Sequence, residues 1–301
     1  MLKNWINIQF GIHKYQISTT VYIMDNIESL AERLGFDQHA KVLIIRCEGL
    51  GMSHSTTVAC YGSIRDGIAT TTSLMVPAPW SQEASYLYRG EDVGVDLTFN
   101  SDFDRYRWGP LTLAPSLLGG DGGFPRTPED LWEHGDIDEV TREARAQIER
   151  AILWGFDVSH LTGYLKSLHL RPEFFQVYLD MAIEFKLPIR LSNHDMERVA
   201  GFPFRSLALN AGIIFPDHII ETPKTGSFAE RIVKVISELK PGVSECVVRP
   251  ALESDEIKAI TQNWEAMVND YRCLTDPNVL DSFEEGNIHL IGYRELKALM
   301  S

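Results

Sequence analysis

The chain has 301 residues, 44% of them hydrophobic, enough to bury one large core or two small ones. Its formal net charge of -14 argues against nucleic acid or an anionic membrane as partner, because both would repel such a surface. Cys47, Cys60, Cys246 and Cys273 are far apart with no CxxC pair and are expected to be reduced; without an apolar run near the roughly 18 residues of a membrane span, or a charged-then-apolar leader, a cytoplasmic location is expected.

Residues 1–23 alternate polar and apolar groups without a helical period and read as an N-terminal extension, so one domain is expected over 24–301. From Met24 the text becomes an amphipathic helix with Ile27, Leu30, Ala31 and Leu34 on one face and Gly35 as its stop. Val42 to Ile45 is a β-branched run suited to a strand buried on both faces; it halts at Glu48, Gly49 and Gly51, and Ser53 or Ser55 can cap the helix that follows. A second strand ends at Pro77 and Pro79, with a helix near Ser81 to Tyr88, and Val93 to Phe99 forms a third strand. The long loop from Ser101 to Pro128 carries Arg105, Tyr106, Arg107 and Trp108 and is too aromatic for a disordered tether; it reads as a lid or pocket wall.

A helix from Asp136 to Trp154 leads through Gly155 into VSHLTGYLKSLHL, a fourth strand and its loop, and Pro172 to Lys186 is helical again. Pro188 to Leu191 and Gly212 to Phe215 suggest strands five and six, Val243 to Arg249 a seventh and Ile288 to Ile291 an eighth, with helices near 228–239 and 254–271. Some eight βα alternations without a linker predict a single-domain α/β fold of TIM-like (β/α) barrel type.

In such folds the carboxyl ends of the strands carry the ligands, because the following loops vary while the strands hold still. The polar residues expected there are Glu48, Asp96, Thr162, Tyr164, Lys166, His169, His194, Asp195 and Arg249. The same set reads equally as an ion-pair network that closes the barrel mouth. Arg105, Arg107 and Trp108 are expected ligand contacts, an aromatic ring flanked by guanidiniums being suited to a sugar face or an anionic substituent; loop packing is the alternative.

The segments CEGLGMSHS, TTTSLMVPAPW, VGVDLTFNSDFDRYRWGP, ARAQIERAILWG, PEFFQVYLDMA, VRPALESDEIKAI and LIGYREL together resemble the YdjC-like carbohydrate deacetylases of the ChbG/HpnK type, over about Leu30 to Leu299. The resemblance implies a (β/α) barrel that hydrolyses the acetamide of an N-acetylated sugar with a divalent metal such as zinc or magnesium, a base carboxylate and a histidine acid. The active-site positions depart from that pattern. Where the family has Asp-Asp-x-Gly this chain has Glu48 and Gly49; the metal-binding histidine of His-Leu-Thr is Asp96; His-Leu-Asp-x-His becomes His160 to Tyr164; and the histidine of His-Pro becomes Arg249.

A hydrolytic metal site takes about three protein ligands around an open position for water. Gly49 donates nothing, neutral Tyr164 replaces imidazole poorly, and guanidinium cannot serve as a proton donor. No metal or other cofactor is therefore expected, with Arg249 and Lys166 as counter-charges for Glu48 and Asp96. The expected role is a non-hydrolytic member that binds a saccharide-like or other polar ligand. Two alternatives stand beside it: metal-free acid/base chemistry by Glu48, Asp96 and Arg249, and a deacetylase that recruits His169, His194 or Asp195 as ligands. The expected partner is a small molecule contacted by Thr162, Tyr164 and Lys166, and a homo-oligomer is compatible with the sequence.

Overall fold

The computed structural model describes residues 28–220 and 228–300, so the 1–23 extension and the start of the helix expected from Met24 lie outside the described residues. Among the described residues seven strands form one sheet: β1 (Lys41–Leu50), β2 (Thr71–Leu74), β3 (Val93–Leu97), β4 (Val158–Gly163), β5 (His218–Ile220), β6 (Gly242–Val248) and β7 (Ile288–Leu290). Their order is β4-β3-β2-β1-β6-β5, with all pairings parallel. The first half of β1 pairs with β7 (Lys41 opposite Ile288) and the second half with β2 (Arg46 opposite Thr71), while β6 runs along the other edge.

Among the described residues the sheet is open, a parallel half-barrel, where a TIM-like (β/α) barrel was expected. Pro188 has no amide hydrogen to give a ladder, and the strand expected at Pro188 to Leu191 makes a single bridge, Ile189 with Leu161. Beyond it the amide of Ile189 reaches the Ile214 carbonyl at 3.0 Å, and Pro216 interrupts that segment before β5 begins at His218. The helix expected over 254–271 is also divided, into Asp255–Ile260 and Trp264–Leu274, because Thr261 is extended.

Among the described residues, six α-helices between Leu30 and Phe185 shape the site's first half. α1 (Leu30–Arg33) starts at a Ser29–Glu32 capping box, and α2 (His54–Arg65) follows β1. α3 (Ser81–Leu87) follows β2, and α4 (Pro128–His134) and α5 (Ile137–Leu153) follow the long loop after β3. α6 (Pro172–Phe185) packs on α5, whose buried stripe includes Val140, Ala144, Ile148 and Ala151. That stripe has the three- and four-residue spacing of one helix face.

Alternation along the strands creates two unlike faces. Leu43, Ile45 and Cys47 of β1 join the large core beneath the helices, with Val95, Leu97, Cys246 and Val248. Val42 and Ile44 point the other way, into a smaller cluster with Ala31, Ile214, Val243, Ile291, Tyr293 and Leu296. The same parity puts Arg46 and Glu48 above Ile44, Glu245 above Val243, and Asp96 opposite the Val95 face. The inner face thus changes from apolar near the strand starts to charged near the strand ends. No helix among the described residues is long and apolar enough to cross a membrane.

Candidate ligand site at the strand ends

β1 delivers Glu48 through a register shift between Glu48 and Leu50 that Gly49 makes possible. Gly49 sits at φ +104°, a conformation that L side chains rarely adopt. Gly51 is fixed by crowding as well as by φ +83°, since a Cβ there would lie 2.9 Å from Ser81 Cα. The Thr56 hydroxyl donates to the Gly49 carbonyl at 2.8 Å, and Ser53 caps α2.

Glu48 accepts two hydrogen bonds from Arg249, from Nε at 3.0 Å and Nη2 at 2.8 Å, both on Oε1. Its other oxygen lies 3.6 Å from Arg46 Nη2. Arg46 also donates from Nε to Glu245 at 2.8 Å and from Nη1 to the Ser73 hydroxyl at 2.7 Å. Glu245 further accepts from Arg190 Nε at 3.1 Å and from the Tyr293 hydroxyl at 2.7 Å. Three guanidiniums are thereby threaded between two glutamates, and only Arg249, with 58% of its side chain exposed, reaches far into solvent.

Burial acts to raise the carboxyl of Glu48, but Arg249 and Arg46 outweigh it and hold Glu48 below the usual carboxylate range. Glu245 is held down in the same way against burial, by Arg190 and Arg46. Asp96 behaves oppositely. Burial and the neighbouring Glu48 charge push it up to about 7, against the pull of Arg46 and the 2.7 Å hydrogen bond from the Thr162 hydroxyl. Two carboxyl groups on one face therefore ionise in different pH ranges.

The structure brings Glu48, Asp96, Arg249 and Thr162 together in this network. Tyr164 lies at its border, donating to Asp102 at 2.7 Å and packing edge-on against Trp108. Trp108 is only 4% exposed, with its indole N–H on the Asn100 carbonyl, so it supports Tyr164 from behind and has no free face for a sugar. Arg107 is likewise engaged inside its loop, with Asp121 at 3.0 and 3.1 Å and with the Phe124 carbonyl at 2.7 Å. For these two the loop-packing alternative describes the geometry, whereas Arg105 is exposed. Tyr106 ties the same loop to β1's exit through a 2.7 Å bond to the Met52 carbonyl. The loop is a packed wall.

Lys166 follows Leu165 in left-handed backbone and lines a cavity of about 1160 Å³ together with Arg190, His194 and Asp195. His194 is exposed and bonds to Glu197. His169 is fully buried with both ring nitrogens unpartnered; burial, with Arg190 and Lys166 nearby, lowers it to about 3, so its imidazole stays neutral. The further cations beside Glu48 are Arg46 and Arg190, which the sequence reading passed over in favour of Lys166. Their signal was present: Arg46 interrupts VLII-R-C, Arg190 interrupts PI-R-L, and each breaks an apolar run with a charge.

A divalent metal does not fit these side chains. Gly49 has no donor, the Tyr164 hydroxyl is committed to Asp102, Asp96 accepts from Thr162, and Arg249 covers Glu48. Among the described residues no three His, Cys, Asp or Glu side chains are grouped as metal ligands.

A parallel α/β half-barrel whose ionisable groups gather beyond the strand ends defines a barrel-type protein, and the carboxyl edge is where such folds carry their ligands. The YdjC-like protein family model matches residues 42–285, and the chain belongs to that family. It is 31% identical to a carbohydrate deacetylase of Thermus thermophilus over 256 residues, 83% of this chain and 92% of the relative. A carbohydrate deacetylase of Geobacillus stearothermophilus is 27% identical over 85% of this chain and 98% of its own length. A solved structure from Enterococcus faecalis V583, provisionally named a cellobiose-phosphate cleavage protein, shares the fold with a TM-score of 0.75 at 22% identity, covering 85% of this chain and 99% of that one.

Proposed function

We propose that this chain uses the fold of the carbohydrate deacetylases to bind a saccharide-like polar ligand at the strand ends, without metal-assisted hydrolysis of an acetamide. The observation that carries the reading is Arg249 on Glu48 at 2.8 Å, a guanidinium serving as the carboxylate's counter-charge. A base carboxylate held this way, below its usual range, has little drive to take a proton from water. A polar ligand can instead hydrogen-bond to the exposed side of Arg249 and to the groups around Tyr164.

The opposed shifts of Asp96 and Glu48 favour one second reading, acid/base chemistry without a metal, in which Asp96 gives up or takes a proton near neutral pH. One experiment separates the two. Purified protein is assayed for zinc content, for acetate released from N-acetylated chitooligosaccharides, and for calorimetric binding of chitobiose. Binding without stoichiometric zinc and without acetate release is the expected result. Tight zinc binding or acetate release would overturn it, and acetate release lost in Asp96→Asn without any metal requirement would establish the second reading.

A further inference from the structure

The wall loop carries a second group of charges that the strand-end network does not use. Arg107 and Arg126 both reach one carboxylate, Asp121, and both bond to the same oxygen: Oδ2 lies 3.0 Å from Arg107 Nε and 3.3 Å from Arg126 Nη2. The other oxygen, Oδ1, accepts from Arg107 Nη2 and from the Gly123 amide, each at 3.1 Å. Two guanidiniums are therefore within reach of a single anionic group, and the chain itself supplies that group. The hydrogen bonds from Arg107 and Gly123 hold Asp121 below the usual carboxylate range, so it fills the clamp as an anion.

One carboxylate serves this pair incompletely. Arg126 has a second acid in Asp104, but that side chain is 96% exposed, and such a pair contributes little. Arg107 also donates to the Phe124 carbonyl, and its Nη1 is buried without a hydrogen-bond partner among the described residues. Asp121 is loosely held from its own side as well. Its turn closes on itself, with the Gly119 amide on the Gly123 carbonyl and the Gly122 amide on the Gly119 carbonyl. A Cβ at Gly120 or Gly122 would meet nothing within 4 Å, so no neighbouring atoms press on the turn there. Beside it opens a cavity of about 490 Å³, lined by both arginines and by Leu118, Asp130 and His134 among others. Asp130, the other acid in that lining, makes no ion pair with either arginine among the described residues. His134 keeps Nδ1 on the Asp130 carbonyl at 3.0 Å, and its Nε2 makes no bond among the described residues.

We propose that Arg107 and Arg126 form a second ligand site, for a small organic di-acid, which Asp121 occupies as a built-in stand-in until the ligand displaces it. Each guanidinium then has a carboxylate of its own, in the paired geometry that its planar fork favours, where in the empty site the two share one. Leu118, partly exposed on the cavity wall, suits the short carbon chain between the two acid groups. Because Asp121 is tethered beside the clamp, it competes at a high effective concentration, and that competition sets the affinity for a free di-acid. None of the residues lining this cavity belongs to the Glu48–Arg249 network, so the site stands whether or not the strand ends bind a saccharide.

The test is NMR titration of the full chain at pH 7 and constant ionic strength with succinate, and with acetate as the single-acid control. Succinate binds about tenfold or more tightly than acetate, with shifts in the amides of residues 116–126 and 130–134. Asp121→Ala, which removes the stand-in, tightens succinate severalfold, whereas Arg126→Gln weakens it severalfold. An Asp121 that merely braced the loop would give the opposite sign, a looser loop and weaker binding. Both substituted side chains are more than 40% exposed, so neither change opens the core. No succinate binding by either the native chain or Asp121→Ala overturns the proposal. So does an Asp121→Ala variant that binds no more tightly than the native chain, an affinity that survives Arg126→Gln, acetate binding equal to succinate, or shifts confined to the residues around Glu48 and Arg249.

Discussion

Asp96 and Glu48 make stability depend on pH in opposite senses. Asp96 is raised to about 7, so between the ordinary carboxylate range and that value the folded chain keeps a proton that the unfolded chain has lost. Its contribution favours folding at low pH and declines as pH rises through 7. Glu48 and Glu245 are lowered, so they contribute above the ordinary carboxylate range, and that contribution is lost as pH falls through their depressed values. Asp96→Asn should therefore raise the melting temperature at pH 8, with the difference shrinking by pH 5, as followed by calorimetry; a gap independent of pH would contradict the assignment. Gly49 supports a second prediction at this scale. Gly49→Asp forces a side chain onto backbone at φ +104° and should cost about 1–3 kcal/mol in chemical denaturation.

At the scale of single elements, α2 is positioned by an acid from far along the chain. Glu256 accepts from the amides of His54 and Ser55, at 3.3 and 3.1 Å, and from the Ser55 hydroxyl at 3.0 Å, so it satisfies the helix's first donors and complements its dipole. Glu256→Ala should lower stability by about 1 kcal/mol in urea unfolding, with Ser53 still capping the helix. Elements with a strong local pattern were legible in the sequence: β1, α5 and β6 fall where apolar runs and helical spacing place them. Pro188 to Leu191 misled, because an apolar tetrad says nothing about whether neighbours can complete its ladder. In the candidate site, the strand-end rule pointed to Glu48, Asp96 and Arg249, whereas it did not point to Arg46, Arg190 and Glu245, which the structure joins to them. Charged residues are almost never fully buried unless paired, and their partners come from strands nearly two hundred residues apart, a separation no local pattern reveals. The Trp108 ring misled for the opposite reason: an aromatic in a loop looks exposed until the fold supplies Tyr164 and Tyr106 to cover it.

For the molecule as a whole, the Arg46–Glu245–Arg190 layer lies between the apolar floor of the inner face and the candidate site at the strand ends. Glu245→Gln would remove the buried anion shared by two guanidiniums and should destabilise the fold by about 3–5 kcal/mol, measurable as a shift in denaturant midpoint. Tyr293→Phe, which removes one donor and no charge, should cost about 1–3 kcal/mol by leaving one Glu245 oxygen short of a partner. The distribution of charge between outside and inside also governs how quickly a ligand arrives. The chain carries a formal net charge of -14, while Arg249 presents an exposed guanidinium at the candidate site. An anionic solute approaching Arg249 from a distance meets repulsion before it meets attraction. Added salt shortens the reach of both fields to about 10 Å at 0.1 M, which removes more of the distant repulsion than of the attraction at contact. For an anionic probe such as glucuronate the association rate should therefore rise between low and moderate ionic strength while dissociation also quickens, the reverse of the usual salt effect on capture of a charged ligand.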